Sequence, residues 1–116
     1  AKAVVSRLIE AAPFENMDIN GIEALLKQCK ADNENIELLA FANADGSLQA
    51  ATLDSLKGGS ISHRNYFREA IKGTTYITEP YISFATNDFC ITAAIPVKNS
   101  SGAITGILVT DVNISK

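Results

Sequence analysis

The chain has 116 residues, enough for one domain built on one core and too few for a second. Hydrophobic residues make up 47% and charged residues 20%, a balance that excludes a disordered chain. The net charge is −3, the pI is near 5.0 and the ten Lys and Arg are scattered without a basic stripe, so no nucleic acid is expected as a partner.

Val5, Leu8, Ile9 and Ala12 recur at helical spacing and predict an amphipathic helix over the first dozen residues, ended by Pro13. A loop follows from Phe14 to Ile19. Asn20-x-x-Glu23 is a capping-box pattern ahead of Ile22, Leu25, Leu26 and Cys29, which predicts a second helix over about 20–31 with a Glu23–Lys27 pair on its flank. Ile36 to Ala42 is an apolar run of strand length. Asn43-Ala44-Asp45-Gly46 then turns the chain, and Ser47 to Thr52 returns as the partner of a hairpin.

Lys57-Gly58-Gly59-Ser60 reads as a flexible loop. Ser62 is placed to cap a helix that carries Tyr66, Phe67, Ala70 and Ile71 and ends at Gly73. Strand patterns occupy the rest: Thr75–Thr78, Tyr81–Ala85, Phe89–Val97 and Ala103–Ile114, joined by turns at Thr86-Asn87-Asp88 and Asn99-Ser100-Ser101-Gly102. In the last strand Ile104, Leu108 and Val112 share one face and Ile107 and Val109 the other, so it is expected to be central and covered on both sides. The expected architecture is α+β and PAS-like: a five-stranded antiparallel sheet with helices packed on one face.

Asp111 falls on the Ile107–Val109 face, where an ionised carboxylate needs a partner. That partner is either a protein group near the strand end or the ammonium group of a ligand. Arg64 lies in the first turn of its helix, where the helix dipole slightly disfavours a cation, and its planar guanidinium suits a carboxylate. Tyr66 and Phe67 are neighbours and must point about 100° apart, one into the core and one into a pocket. Tyr81 follows Pro80, which sets an extended start, and its hydroxyl needs a partner if buried. Tyr76 reads as an ordinary sheet aromatic.

These residues carry a resemblance to the Cache, or PDC, family of extracytoplasmic sensor domains. Arg64-Asn65-Tyr66-Phe67-Arg68-Glu69-Ala70-Ile71-Lys72-Gly73 resembles the family's signature helix, and Glu79-Pro80-Tyr81-Ile82-Ser83 follows at the family's spacing. Cys90-Ile91-Thr92, Ile95-Pro96-Val97 and Gly102…Gly106-Ile107-Leu108…Asp111-Val112 complete it through the C-terminal half. The resemblance implies a long N-terminal helix, a central antiparallel sheet with a pocket between sheet and loops, and a sensor of small molecules in a chemoreceptor, histidine kinase or diguanylate cyclase. Arg64, Tyr66 and Phe67 would face a ligand's carboxylate, Tyr81 and Asp111 would hold its amino group, and Ser83 would join them. Tyr66 stands where the amino-acid-binding members have Trp, Phe67 where they have a Tyr hydroxyl, and Gly59 near an upstream Tyr. Those departures leave an amino acid, an amine or a small carboxylate open as the ligand.

No cluster of His, Cys and carboxylates has metal-ligand spacing, and the one histidine, His63, reads as a surface or capping residue, so neither an enzyme nor a cofactor or metal is expected. Cys29 and Cys90 are either one disulfide or two buried thiols. The apolar runs are shorter than the roughly 20 residues that span a bilayer, and no signal peptide is visible. The chain opens on Ala1 and stops just after an apolar strand, so it is expected to be one module, residues 1–116, of a longer membrane-anchored receptor that dimerises along its first helix. The competing expectation is a domain that only dimerises or docks a protein, with its pocket collapsed and Arg64 paired directly with Asp111.

Overall fold

The computed structural model describes residues 8–10, 12–83 and 86–115. Residues 1–7, on which most of the expected N-terminal helix rests, lie outside them, as does the end of the strand expected to reach Ala85.

Pro13 does not end a helix. It lies inside a short one, α1 (Ala12–Glu15), near the N-terminal end, where its missing N–H costs nothing. The chain then reverses through Met17, at φ 53°, with Asp18 N–H bonded to Pro13 O at 2.8 Å. Helix α2 (Ile19–Asp32) follows, and its cap is Asp18, whose carboxylate accepts from Gly21 N–H at 3.1 Å. The expected capping box on Asn20 is therefore displaced by two residues. Glu23 instead leaves the helix for Lys57, 3.0 Å away, and holds Lys27 only at 3.9 Å.

The sheet contains β1 (Ile36–Asn43), β2 (Leu48–Ala51), β3 (Tyr76–Ile77), β4 (Tyr81–Ile82), β5 (Phe89–Lys98) and β6 (Ile104–Asn113). Its order is β2-β1-β6-β5-β3, all antiparallel, with β4 also on β5. Six segments thus fill five positions. Tyr76 pairs with Ala94 and Tyr81 with Cys90, so β3 and β4 form one edge ribbon with a one-residue slip at Glu79-Pro80. Proline, lacking an N–H, is tolerated at such a break on an edge.

Alternation along β1 and β6 divides the core. Leu39, Phe41 and Leu108 meet Ile22, Leu26 and Phe14, with the Phe14 and Phe41 rings edge to face at 5.6 Å. Ala40, Ala42, Ile107 and Val109 face the other way, toward Phe67 and Ala70 of α3 (Asn65–Ala70). Helices therefore cover both faces, not one, because both faces of the central strand are apolar. Ile104 joins the Ile107 side, contrary to the simple alternation, because an irregularity between Val97 and Lys98 shifts the parity there. Gly106 sits where β6 crosses Phe41: a Cβ would come within 2.6 Å of the Phe41 ring and collide with the Ala42 carbonyl.

Between β2 and α3 the chain runs through a 3₁₀ turn (Asp54–Leu56) and clips itself to the free edge of β2. Leu48 N–H bonds Gly59 O at 2.8 Å, Gly58 N–H bonds Leu48 O at 3.0 Å, and Ile61 N–H bonds Gly46 O at 2.9 Å. Ser62 does not cap α3. Its hydroxyl is taken by Ser60 at 3.0 Å, and Arg64 occupies the cap position without a side-chain cap bond. Gly73, at φ 110°, follows the helix where a left-handed residue was expected.

Candidate functional site

The face of the sheet opposite α2 carries a cavity of about 710 Å³. Its floor follows from register. On β6, Asp111 lies between Leu38 of β1 and Thr92 of β5, and one row further Val109 lies between Ala40 and Ala94. The edge ribbon adds Thr78, Tyr81 and Ser83, while Ser55, Leu56, Gly59, Ser60 and Ile61 of the clipped loop close the opposite side. Arg64 and Tyr66 enter from the start of α3.

Asp111 is only partly accessible. Burial raises its pKa above the ordinary carboxylate value, against the lowering effect of Thr92, while the neighbouring Glu37 charge raises it further. Thr92, 2% exposed, donates its single hydroxyl proton to Asp111 Oδ1 at 2.8 Å. Its oxygen must then accept from the Tyr81 hydroxyl, 2.5 Å away. The result is a directed chain, Tyr81 to Thr92 to Asp111, that ends on a carboxylate with acceptor capacity left over. Tyr81 is 40% exposed as a residue, yet its hydroxyl is turned inward, and burial pushes that phenol far above its usual pKa.

Arg64 is exposed at the cavity's rim. No ion pair within 4 Å joins it to Asp111 among the described residues, although its charge acts on both Asp111 and Tyr66. Tyr66 is half-buried against the same space, and burial raises its pKa. An anion-binding group and a cation-binding group thus face one cavity without cancelling each other. Such an arrangement can hold a small molecule by both ends, or a cation by Asp111 alone.

Of the residues singled out in the sequence, Arg64, Tyr66, Tyr81, Ser83 and Asp111 all line this cavity. Phe67 does not. It is 5% exposed and packs with Ala94 and Ile107, so the expectation that it faces a ligand is corrected: of the two adjacent aromatics, the apolar one went into the core. Thr92 was missed as a site residue. Its signal was a hydroxyl inside an otherwise apolar strand, but only pairing with Asp111 gives it a role. The loop wall was missed too, since loops carry no periodicity to read. Gly59 does line the cavity, in the position where no side chain fills the space.

Cys29 and Cys90 are both buried and free, on different parts of the fold. Burial raises both thiols above their ordinary pKa.

No protein-family model matches the chain, and no curated protein does. Solved structures do. The sensory domain of the Campylobacter jejuni chemoreceptor Tlp3 with isoleucine bound is 18% identical at a TM-score of 0.71, over 97% of this chain and 48% of that one. The ligand-binding domain of the same receptor in complex with L-norvaline gives 19%, a TM-score of 0.74, and 96% and 49% coverage. The sensor domain of the V. cholerae histidine kinase DctB gives 20%, a TM-score of 0.70, and 97% and 43% coverage. The chain therefore spans less than half the length of each of these structures. Its fold is that of the PDC/Cache-type sensory domains of chemoreceptors and histidine kinases.

Proposed function

We propose that this chain is a small-molecule sensory module of a longer, membrane-anchored receptor, and that it binds an amino acid or an amine outside the cytoplasmic membrane. The observation that carries the reading is the open cavity flanked by Asp111 and Arg64, two opposite charges left unpaired with each other. A domain serving only to dimerise or dock would have closed that gap with the ion pair. In this reading Asp111, supported by Thr92 and Tyr81, accepts hydrogen bonds from the ligand's ammonium group, and Arg64 with Tyr66 meets a carboxylate. The role is recognition, not catalysis.

Signalling follows from where these groups stand. Asp111 is two residues from the end of the central strand, and Arg64 begins α3. A ligand bridging them stabilises whichever arrangement of strand and helix holds it better, and can shift the equilibrium by no more than that difference in affinity. The receptor is proposed to act as a homodimer.

A thermal-shift screen against amino acids, amines and short carboxylates tests this. Ligand at 100 times its Kd stabilises by about 2.7 kcal/mol, a rise of about 10 °C for a chain of this size. A hit lost in both Arg64→Ala and Asp111→Ala supports an amino acid, and one lost only in Asp111→Ala an amine. Loss in Arg64→Ala alone replaces these with a small carboxylate. No hit across the panel, with folded and ligand-free protein, overturns the sensor reading in favour of docking.

A further inference from the structure

Asp111 is the one carboxylate among the described residues that line the cavity, and its two oxygens differ. Oδ1 holds the Thr92 hydroxyl at 2.8 Å, whereas no described residue bonds Oδ2 or pairs with the charge within 4 Å. The ionisable groups around it come from several elements. On β1, Glu37 precedes Leu38, the strand partner of Asp111, and its Oε2 accepts from the Asn113 side-chain amide at 2.8 Å. The same amide bonds Asp88 at 3.0 Å, and Asn113 lies two residues beyond Asp111 on β6. From β5 comes Cys90, two residues before Thr92, from β4 Tyr81, and from α3 Tyr66 with Arg64 at the rim. The 54–61 loop lines the cavity with Ser55, Leu56, Gly59, Ser60 and Ile61, none of which titrates.

Resting on the reading of this cavity as an ammonium site, we propose that a proton and the ammonium ligand compete for Asp111 Oδ2, so that mild acid outside the membrane silences the sensor. The geometry leaves that oxygen two ways to lose its charge when water is excluded. A carboxylate held in the fold without a cation takes up a proton, or it waits for a cation to arrive from solution. The Tyr81–Thr92 chain fixes Oδ1, which makes Oδ2 the atom that both reach. Nothing in the protein substitutes for either. Burial is the largest cause of the raised Asp111 pKa, and of the two charges that act on it Glu37, which raises it, outweighs Arg64, which lowers it.

The sign follows directly. An alkylammonium group keeps its own proton below about pH 10, as lysine does, so acid acts on the site and not on the ligand. Only the ionised carboxylate binds, and below its midpoint that fraction falls about tenfold per pH unit, taking the apparent affinity with it. An exposed aspartate would hold its affinity down to about pH 3.9, whereas Asp111 loses it earlier. Reciprocally, the ligand expels the proton to water and lowers the midpoint of Asp111.

Carbon-13 NMR of the 116-residue chain, labelled at the aspartate carboxyls and titrated from pH 3 to 8, tests this. Asp111→Asn identifies the signal by its loss, and every other measurement is made on the unaltered chain. Titrations are repeated with equal concentrations of methylammonium chloride, of a mixture of neutral L-amino acids, and of sodium chloride as the control for ionic strength. Asp111 should titrate above about 3.9, and methylammonium or the amino acids should lower that midpoint beyond the sodium chloride control, by about one pH unit at ten times the Kd. A midpoint at or below about 3.9, with the Asp111 signal still displaced at neutral pH by either ammonium probe, overturns this inference and leaves the ammonium site standing. A raised midpoint that neither probe moves beyond the control overturns the ammonium site and the competition together.

Discussion

Replacing Asp111 by Asn should make the ligand-free domain more stable at neutral pH, not less. The carboxylate sits on the central strand with one short hydrogen bond, from Thr92 at 2.8 Å, and no ion pair within 4 Å among the described residues. Burying a carboxylate costs several kcal/mol even after relaxation, and one charge-assisted hydrogen bond returns about 1.5–3 kcal/mol. The difference leaves the charge a net burden of about 1–2 kcal/mol. Asn keeps the shape and can still accept from Thr92 without the charge. At roughly 4 °C per kcal/mol, the variant should melt about 4–8 °C higher at pH 7.5. The pH dependence has a definite sign. Asp111 has a raised pKa in the folded state, so between its unfolded pKa, about 3.9, and that raised value the folded state holds more protons. Wild-type stability attributable to this group is full below that window and is lost as pH rises through it. The advantage of Asp111→Asn should therefore be full above that raised value, shrink as pH falls through the window and vanish below about pH 4. Thermal melts of both proteins from pH 3.5 to 8 measure it. A variant that melts lower at pH 7.5 would mean that the protein fully compensates the charge, making Asp111 a structural cap and removing the main support for a cation site.

Phe67→Tyr separates core from cavity at the adjacent aromatics: with the ring 5% exposed, an added hydroxyl is left without a partner and should cost about 1–3 kcal/mol by denaturant melt, while ligand affinity gains nothing. A tighter ligand in that variant would return Phe67 to the site. Gly106→Ala should destabilise by about 1–3 kcal/mol or abolish folding, since its Cβ would meet Phe41 at 2.6 Å, and a neutral result would refute the close crossing of β6 over that ring. Cys29 and Cys90 should resist a thiol reagent until the protein unfolds, because both are buried and burial holds them as thiols; one rapid equivalent under native conditions would contradict that placement.

Much of the fold was legible because its signals are local. The apolar runs at 36–42, 89–97 and 103–114, the Asn43-Ala44-Asp45-Gly46 turn and the central position of the last strand all follow from pattern and turn chemistry. What failed was decided by competition between neighbours. Asn20 and Glu23 form a plausible capping box, but Asp18 captured Gly21 N–H and Lys57, thirty-four residues away, captured Glu23. Ser62 had the right residue type for a cap, yet Ser60 offered its hydroxyl a nearer partner. Neither outcome can be weighed without the tertiary contact that decides it.

The site divides along the same line. Arg64, Tyr66, Tyr81 and Asp111 stand out in the sequence because each is a polar group whose position makes it costly or odd. Thr92 does not, since threonine is unremarkable in a strand. It acquires a role only because β5 pairs with β6 in the register that sets Thr92 opposite Asp111, with Tyr81 reaching over from the edge ribbon. The same register sets Leu38 opposite Asp111 on the other side. One carboxylate on the central strand is therefore given a hydroxyl neighbour on one flank and an apolar neighbour on the other. A slip of one residue in either pairing would turn those neighbours to the opposite face and leave Asp111 against different side chains. The surroundings of Asp111 are thus a property of strand pairing, which is why the residues that would bind a charge were readable in the sequence and the neighbours of that carboxylate were not.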